Sequence, residues 1–367
     1  MRIIDVRANP YAIRYRKPLH FASGQIDVAD NVLVEVVTDD GVTGFAEAPP
    51  RPYTYGETQA SIIAVIDTLF APAITGMSIL AREQVREKLA RTVGNPTAKA
   101  AIDMALWDAW GKTVGRPVHE LLGGYTDHLR VSHMLGFADP AVMADEAIRM
   151  RDEYGITSFK VKVGRRPAKL DIAVCRAIRE AVGDEAELYL DGNRGWLPSE
   201  AAAALREMAD LGLSRVEELC PADDVLGRRW LVQQCPVPFI ADESAPTPAD
   251  VTRELLAGAA TGISIKTART GFSDSLRVSH LAEGMGVEAV IGNQIDAQIG
   301  SACSLAFGAS QRSTAHQAAE LSNYLDMTDD LLVEPLRISD GVMKVLPGPG
   351  LGIEIDPKKL AYYRTDR

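Results

Sequence analysis

Lys160 and Lys162 lie two residues apart in the stretch SFKVKVG (158–164), an alternating strand pattern whose other side carries Phe159, Val161 and Val163. Side chains two apart in a strand share a face, so both ammonium groups enter the same space, where each lowers the pKa of the other. The same pattern also fits an edge strand whose lysines stand in water and deter pairing. Further along, β-rich runs close on Asp191 and Asn193 (ELYLDGN), on Glu217 (RVEELC), on Asp242 and Glu243 (FIADES) and on Lys266 (GISIKTA). Asp191, Glu217 and Asp242 can meet at one oxygen-rich point, the environment a hard divalent cation needs, with positions left for water or a substrate carboxylate. The six histidines show no HxxxH or HxH spacing, which points to oxygen ligands and so to Mg²⁺, with Mn²⁺ the alternative. Singly, each residue has an ordinary explanation, since Asp before Gly forms turns and Asp-Glu-Ser caps helices. The order decides otherwise: five successive runs each end in a charge of the sign such a site requires.

The elements that must position these groups recur with a period. From about residue 129 a short β-rich run, a polar turn and a helical pattern repeat through LRVSHMLGF, SFKVKVG, ELYLDGN, RVEELC, FIADES, GISIKTA, VEAVIGNQ and a weak last run around STAHQAAE. This repeat is that of a parallel (β/α)₈-type barrel, in which polar residues at the C-terminal strand ends carry the chemistry. Starts such as DPAVMADEAIRM and LPSEAAAALREM supply helix N-terminal signals between the strands. A doubly wound sheet would show a glycine-rich nucleotide turn after an early strand, and none is present. Residues 1–125 read as a separate α+β capping domain, with strands IIDVRANPYAI and NVLVEVVTDDGVTGFAEA, the latter a hairpin turning at DDG, then a long helix that breaks at Gly-Arg-Pro and stops at Gly-Gly. Residues 126–320 are the expected barrel, and the turn-rich segment 321–367 is expected to return and complete the cap.

Bulk properties narrow the partners. A chain of 367 residues has room for a large core, and its net charge of −11 with acids and bases interleaved argues against nucleic acid or an anionic membrane. Four scattered cysteines without a CxxC pair fit reduced thiols, and no run of apolar residues is long enough to span a bilayer. A cytoplasmic protein acting on a small carboxylate is the expectation.

Taken together, KVK at 160–162, DGN at 191–193, VEE at 216–218, ADES at 241–244 and IKTARTG at 265–271 resemble the enolase superfamily, in its muconate lactonizing enzyme subgroup. The resemblance extends over essentially the whole chain, through ALWDAWGKTVGRPVHELLGG and VLPGPGLGIEID. It implies a modified barrel, (β/α)₇β, under an α+β cap, and a homo-oligomer, dimer or octamer. It assigns Asp191, Glu217 and Asp242 as Mg²⁺ ligands, with Asn193 and Glu243 beside the metal. Lys162 becomes the acid/base on one face, its pKa lowered by Lys160, with Lys266 on the opposite face. The subgroup often has Glu-Gln-Pro where this chain has Glu217-Glu218-Leu219, and Glu217 keeps the family's spacing to the following Asp223-Asp224. Another branch places a His-Asp pair on late strands, and no histidine stands near Asn293.

The chemistry the resemblance implies is proton transfer at the carbon α to a carboxylate. Substrate choice falls to the cap loops LHFASGQ (19–25) and PPRPYTYGET (49–58), which contain His20 and Tyr55. Arg269 either places a cation near a second carboxylate or is a loop charge, and Asp296 is either a helix cap or a substrate contact. Muconate cycloisomerase is the leading reading. Epimerases or racemases of dipeptides, N-acyl amino acids or proline betaines, and o-succinylbenzoate synthase, would use the same site, and a non-catalytic barrel is the reading of another class.

Overall fold

The computed structural model describes residues 1–21 and 24–366. Its first layer is an antiparallel sheet of β1 (Ile3–Pro10), β4 (Val32–Thr38) and β5 (Thr43–Ala48) beside a hairpin of β2 (Ile13–Phe21) and β3 (Gly24–Ala29). The expected loop 19–25 is thus largely the tip of that hairpin, with Ala22 and Ser23 outside the described residues.

Against this sheet packs the helix Pro96–Val114, opened by Pro96 at its first position and ended by Gly115 in the left-handed conformation. Asp108, fully buried on that helix, accepts from Phe45 N at 2.8 Å and Leu351 N at 2.7 Å, tying strand, helix and C-terminal segment together. Gly44 lies so close to the helix that a Cβ there would stand 2.0 Å from the Ala105 carbonyl oxygen and 2.7 Å from Ala109 N. Because the obstacle is backbone, Gly44→Ala is expected to lower stability by roughly 1–3 kcal/mol. Urea unfolding measures it, and a change inside about 0.5 kcal/mol, the range of neutral surface substitutions, would show that the contact yields.

Eight parallel strands follow: β6 (His128–Leu135), β7 (Ser158–Lys162), β8 (Glu187–Asp191), β9 (Leu213–Glu217), β10 (Phe239–Ala241), β11 (Gly262–Ile265), β12 (Glu288–Ile291) and β13 (Ala319–Glu320). Each pairs with the next from β6 to β12, and β13 pairs back with β6, Glu320 opposite Ser132. At the β12–β13 junction Asn293 stitches the barrel, its backbone N and Nδ2 donating to Glu320. Seven helical connections join the eight strands, the last of them containing two helices, giving the (β/α)₇β barrel. The weak last run differs from its reading: Arg312–Ala315 is helical and only Ala319–Glu320 is strand.

β7 is buried along its length between β6 and β8, which removes the edge-strand reading of its lysines. Phe159, Val161 and Val163 join the hydrophobic core, so the alternate residues Lys160 and Lys162 point into the barrel. Below them the interior is also polar: Arg215 stacks over the Tyr189 ring and pairs with Glu187 and Glu288.

The C-terminal segment touches both layers. A hairpin of β14 (Ile338–Ser339) and β15 (Val342–Lys344) adds antiparallel to β6, whereas the chain beyond reaches the cap, where Arg364 bridges Tyr11. Among the described residues no helix is long and apolar enough to cross a membrane, and all four cysteines are free thiols.

Candidate active site

Register puts the charged groups at one level. Lys162 pairs across the ladder with Asp191, and Asp191 with Glu217, so three adjacent strands end together. Lys160 Nζ donates to Glu217 Oε1 and Glu320 Oε1, both at 2.8 Å, and lies 3.0 Å from Asp191 Oδ2. Lys162 Nζ donates to the same Asp191 oxygen at 2.5 Å and to Asn193 Oδ1 at 2.6 Å. Asn193 Nδ2 in turn donates to Glu243 Oε1 at 3.0 Å. Across the mouth Lys266 bonds Asp242 Oδ2, and Arg269 Nη1 donates to Asp242 Oδ1 at 2.6 Å. In chain order Lys162 closes the second barrel strand and Lys266 follows the sixth. In an eight-stranded barrel those positions are diametrically opposed, with the carboxylates of the third, fourth and fifth strands between them.

Glu218 takes no part in this inner set. It accepts from Asp242 N, Ser244 N and Ser244 Oγ, bracing the neighbouring loop, and so leaves Glu217 as the inward carboxylate. Its backbone φ is 38°, and Asn193, Arg194 and Ile295 are also left-handed, at 39°, 68° and 64°. Non-glycine residues in this region carry strain, and here they gather at the C-terminal strand ends, where re-aimed backbone turns polar groups toward the mouth.

Electrostatics follow from burial and pairing. Burial alone would raise Asp191, yet Lys160, then Lys162 and Lys266, hold it below the usual carboxylate range, and Lys266 and Arg269 do the same for Asp242. Glu217 goes the other way, pushed well up by burial despite Lys160, with Asp191 and Glu320 adding repulsion. Lys160 corrects the expectation that the paired lysines depress each other. Burial opposes its charge, but Asp191, Glu217 and Glu320 override burial and raise its pKa well above the ordinary value. The two ammonium groups share an Asp191 oxygen instead of facing each other bare.

Other expected residues fall as follows. Arg269 is no loop charge: it is buried, and its guanidinium also donates to the carbonyls of Asp242 and Ser264 and to the Tyr55 hydroxyl. Those bonds commit it to clamping Asp242, and Tyr55 reaches the site through it. The His20 side chain is exposed on the hairpin, and its backbone carbonyl accepts from Phe137 N beyond β6. Asp296 is buried but caps no helix. The residue preceding helix Gln298–Ser310 is Ala297, whose N–H donates at 2.8 Å to Glu47 from the cap. Asp296 Oδ1 has no partner, and burial pushes its carboxyl up to about 6.

Glu320 and Glu47 were missed. The rule applied to the other strands, that the polar residue closing each run is informative, would have found Glu320 at the end of the eighth; Glu47 gave no local signal. Burial, then the Asp296 charge, push Glu47 up to about 7. A raised carboxyl favours the fold below the ordinary carboxyl pKa and loses that contribution as pH rises through 7. Stability should therefore decline between pH 5 and 8, by at most about 3 kcal/mol from this group. Denaturation of Glu47→Gln across that window should show a flatter dependence; an unchanged slope would assign the decline to other groups.

The inner carboxylates suit a hard cation in chemistry. All donors are oxygens, and Glu217 Oε2 and Glu243 Oε2 are buried without any hydrogen-bond partner. Among the described residues no three carboxylate, histidine or cysteine groups are arranged as a closed metal-ligand set, and ammonium groups lie between the carboxylates, Lys160 Nζ at the meeting point of Asp191, Glu217 and Glu320. Two cavities border the cap. One of about 330 Å³ opens between the β2–β3 hairpin and the 50–58 loop and is lined by Asp27, Asp30, Arg51 and Tyr53. Another of about 440 Å³ lies between cap helices and barrel, touching the cluster only at Tyr55 and Arg269.

Comparison with known proteins agrees with this geometry. Residues 3–123 match the N-terminal domain of the mandelate racemase / muconate lactonizing enzyme family, and residues 142–359 match the enolase C-terminal domain-like family. The solved muconate lactonizing enzyme of Mycobacterium smegmatis, complexed with muconolactone, superposes with a TM-score of 0.98 at 64% identity over 100% of both chains. The L-Ala-D/L-Glu epimerase of Bacillus subtilis is 32% identical over 96% of this chain and 97% of its own. The dipeptide epimerase of Enterococcus faecalis, complexed with Mg and L-Leu-L-Tyr, has a TM-score of 0.92 at 30% identity, over 96% of this chain and 100% of its own.

Proposed function

This chain belongs to the mandelate racemase / muconate lactonizing enzyme family of the enolase superfamily, whose members here are isomerases, and from that premise we propose that it is a muconate cycloisomerase. The observation that carries the substrate is its 64% identity, end to end, with a muconate lactonizing enzyme, twice its identity with the B. subtilis epimerase.

Asp191, Glu217 and Asp242 would hold Mg²⁺, which when bound supplies positive charge to a substrate carboxylate as its α-carbon gains electron density. Asn193 and Glu243 would orient that set, and Arg269 with Tyr55 would fix Asp242. In the reaction an oxygen of one carboxylate of cis,cis-muconate bonds to its own γ-carbon. The broken double bond's electron pair settles on the carbon α to the other carboxylate, and a lysine N–H delivers the proton that completes muconolactone. The dianion has become a monoanion, and solvent returns the proton to the lysine. Lys162 and Lys266 stand on opposite sides of the planar carbanion, so either choice fixes the face of protonation. Lys160, bound by carboxylates on three strands, would hold positive charge beneath the reacting carboxylate.

Two opposed lysines also suit a racemase or epimerase, in which one base removes the α-proton and the other returns it. The likeness to the dipeptide epimerases keeps that second reading. Loss of the diene's ultraviolet absorbance on mixing cis,cis-muconate with enzyme and Mg²⁺ tests the first. A folded, metal-loaded enzyme that leaves the absorbance unchanged, yet exchanges the α-proton of a dipeptide in D₂O, would establish the second.

A further inference from the structure

Resting on the cycloisomerase reading, we infer that Tyr189 is a positioning residue for the reaction: its hydroxyl holds Glu320 and, through Glu320, fixes Lys160 beneath the carboxylate whose α-carbon gains the electron pair. Within ELYLD (187–191) the alternation that turns Asp191 into the barrel turns Tyr189 inward as well, one step deeper. The side chain is buried and neighbours Lys160 across the ladder, so the charged cluster lies between it and the mouth. A tyrosine at that depth carries a hydroxyl that must find a partner, and the partner it finds belongs to the cluster.

An ammonium group has three N–H bonds to give, and Lys160 faces three acceptors on three strands: Asp191 Oδ2 at 3.0 Å, Glu217 Oε1 at 2.8 Å and Glu320 Oε1 at 2.8 Å. Its position is therefore set by theirs. Asp191 and Glu217 belong to the proposed ligand set, whereas Glu320 stands outside it and is held by protein groups. Asn293 N donates to Glu320 Oε2 at 3.0 Å, and Tyr189 Oη donates at 3.2 Å to Oε1, the oxygen that Lys160 also uses. Among the described residues no other side chain besides Lys160 and Tyr189 donates to that carboxylate. The tyrosine is braced in turn. Ser132, the ladder partner of Glu320, stands with its Oγ 3.0 Å from Tyr189 Oη. Arg215 stacks on the ring at 4.3 Å while paired to Glu187 at 2.9 Å and Glu288 at 3.2 Å, so a buried guanidinium held by two carboxylates closes the space into which the ring could turn. Arg215, Tyr189, Glu320 and Lys160 thus form one chain of contacts from the barrel interior to its mouth.

Positive charge on Lys160 counts most as electron density builds on the carboxylate above it, so an ammonium that drifts weakens the transition state more than the ground state. Tyr189→Phe keeps the ring and its stacking on Arg215 and removes the hydroxyl alone. It is expected to lower kcat for cis,cis-muconate by about 5- to 50-fold while KM stays within about threefold. A double-mutant cycle separates positioning from mere packing. Because the hydroxyl acts through Glu320, adding Tyr189→Phe to Glu320→Ala should lower kcat further by less than about twofold. A folded Tyr189→Phe with the kcat of the wild type, even if its melting temperature falls, overturns the assignment, and so does an equal loss of kcat in both backgrounds. Should Glu320→Ala not fold, Glu320→Gln takes its place, and the cost of Tyr189→Phe should shrink there by at least about threefold; a cost that does not shrink removes the coupling. If the wild type consumes no muconate, the cycloisomerase reading fails and takes this role with it, an outcome distinct from a wild type that turns over beside an unimpaired Tyr189→Phe.

Discussion

Alanine at Lys162 or at Lys266 is expected to lower kcat/KM for cis,cis-muconate by about 10²–10⁴-fold, with the larger loss at the lysine that delivers the proton. The two are distinguishable because they do different work. The proton donor contributes only as the new C–H bond forms, so its removal falls on kcat and on the solvent isotope effect. The opposed lysine contributes charge alone, and its loss should leave the isotope effect intact. Reaction in D₂O places deuterium on one face of the product, and that face must be the one toward the lysine with the larger effect. Equal, small losses at both positions would mean that neither ammonium group touches the reacting carbon. Each variant also strands hydrogen-bond acceptors, Asp191 and Asn193 for Lys162, Asp242 for Lys266, so unfolding curves must accompany the kinetics.

Asp242→Asn should have the other large effect, and on two observables. Asp242 is fully buried and balances both Lys266 and Arg269. Removing one partner of a buried pair leaves uncompensated charge, which costs roughly 3–5 kcal/mol. The loss should depend on pH with a definite sign. The folded pKa of Asp242 is held below its unfolded value, so its contribution is present above the ordinary carboxyl pKa and disappears as pH falls. Wild type and variant should therefore differ most near neutrality and converge in acid. Added Mg²⁺ should raise the melting temperature of the wild type, because a ligand that binds only the folded state stabilises it, and should not move that of Asp242→Asn. Equal Mg²⁺ responses in the two proteins would remove Asp242 from the ligand set.

Much of the site was legible because its residues obey a local rule. In a barrel of this kind each strand ends at the same face, so polar residues closing successive runs must meet, whatever lies between them. That sufficed for Lys160, Lys162, Asp191, Glu217, Asp242 and Lys266, and the alternation within SFKVKVG told which side of β7 faces inward. The choice of Glu217 over Glu218 came from the spacing to Asp223-Asp224 that the resemblance implies, and the fold leaves Glu218 bonded to Asp242 N and Ser244 instead.

Sequence by itself thus determined the barrel, its inward strand faces and which charged residues close its strands, all consequences of periods two residues or one repeat long. Tertiary structure decided which charges neutralise which. Lys160 lies among carboxylates from β8, β9 and β13, although Glu320 is 160 residues away. Arg269 turned inward to Asp242, and Glu47 crossed from the cap to the start of helix Gln298–Ser310. Such pairings arise because a buried charge must find a counter-charge or a hydrogen bond wherever the packed chain offers one. No local spacing encodes that partner: contact between cap and barrel depends on how two separately patterned layers close on each other.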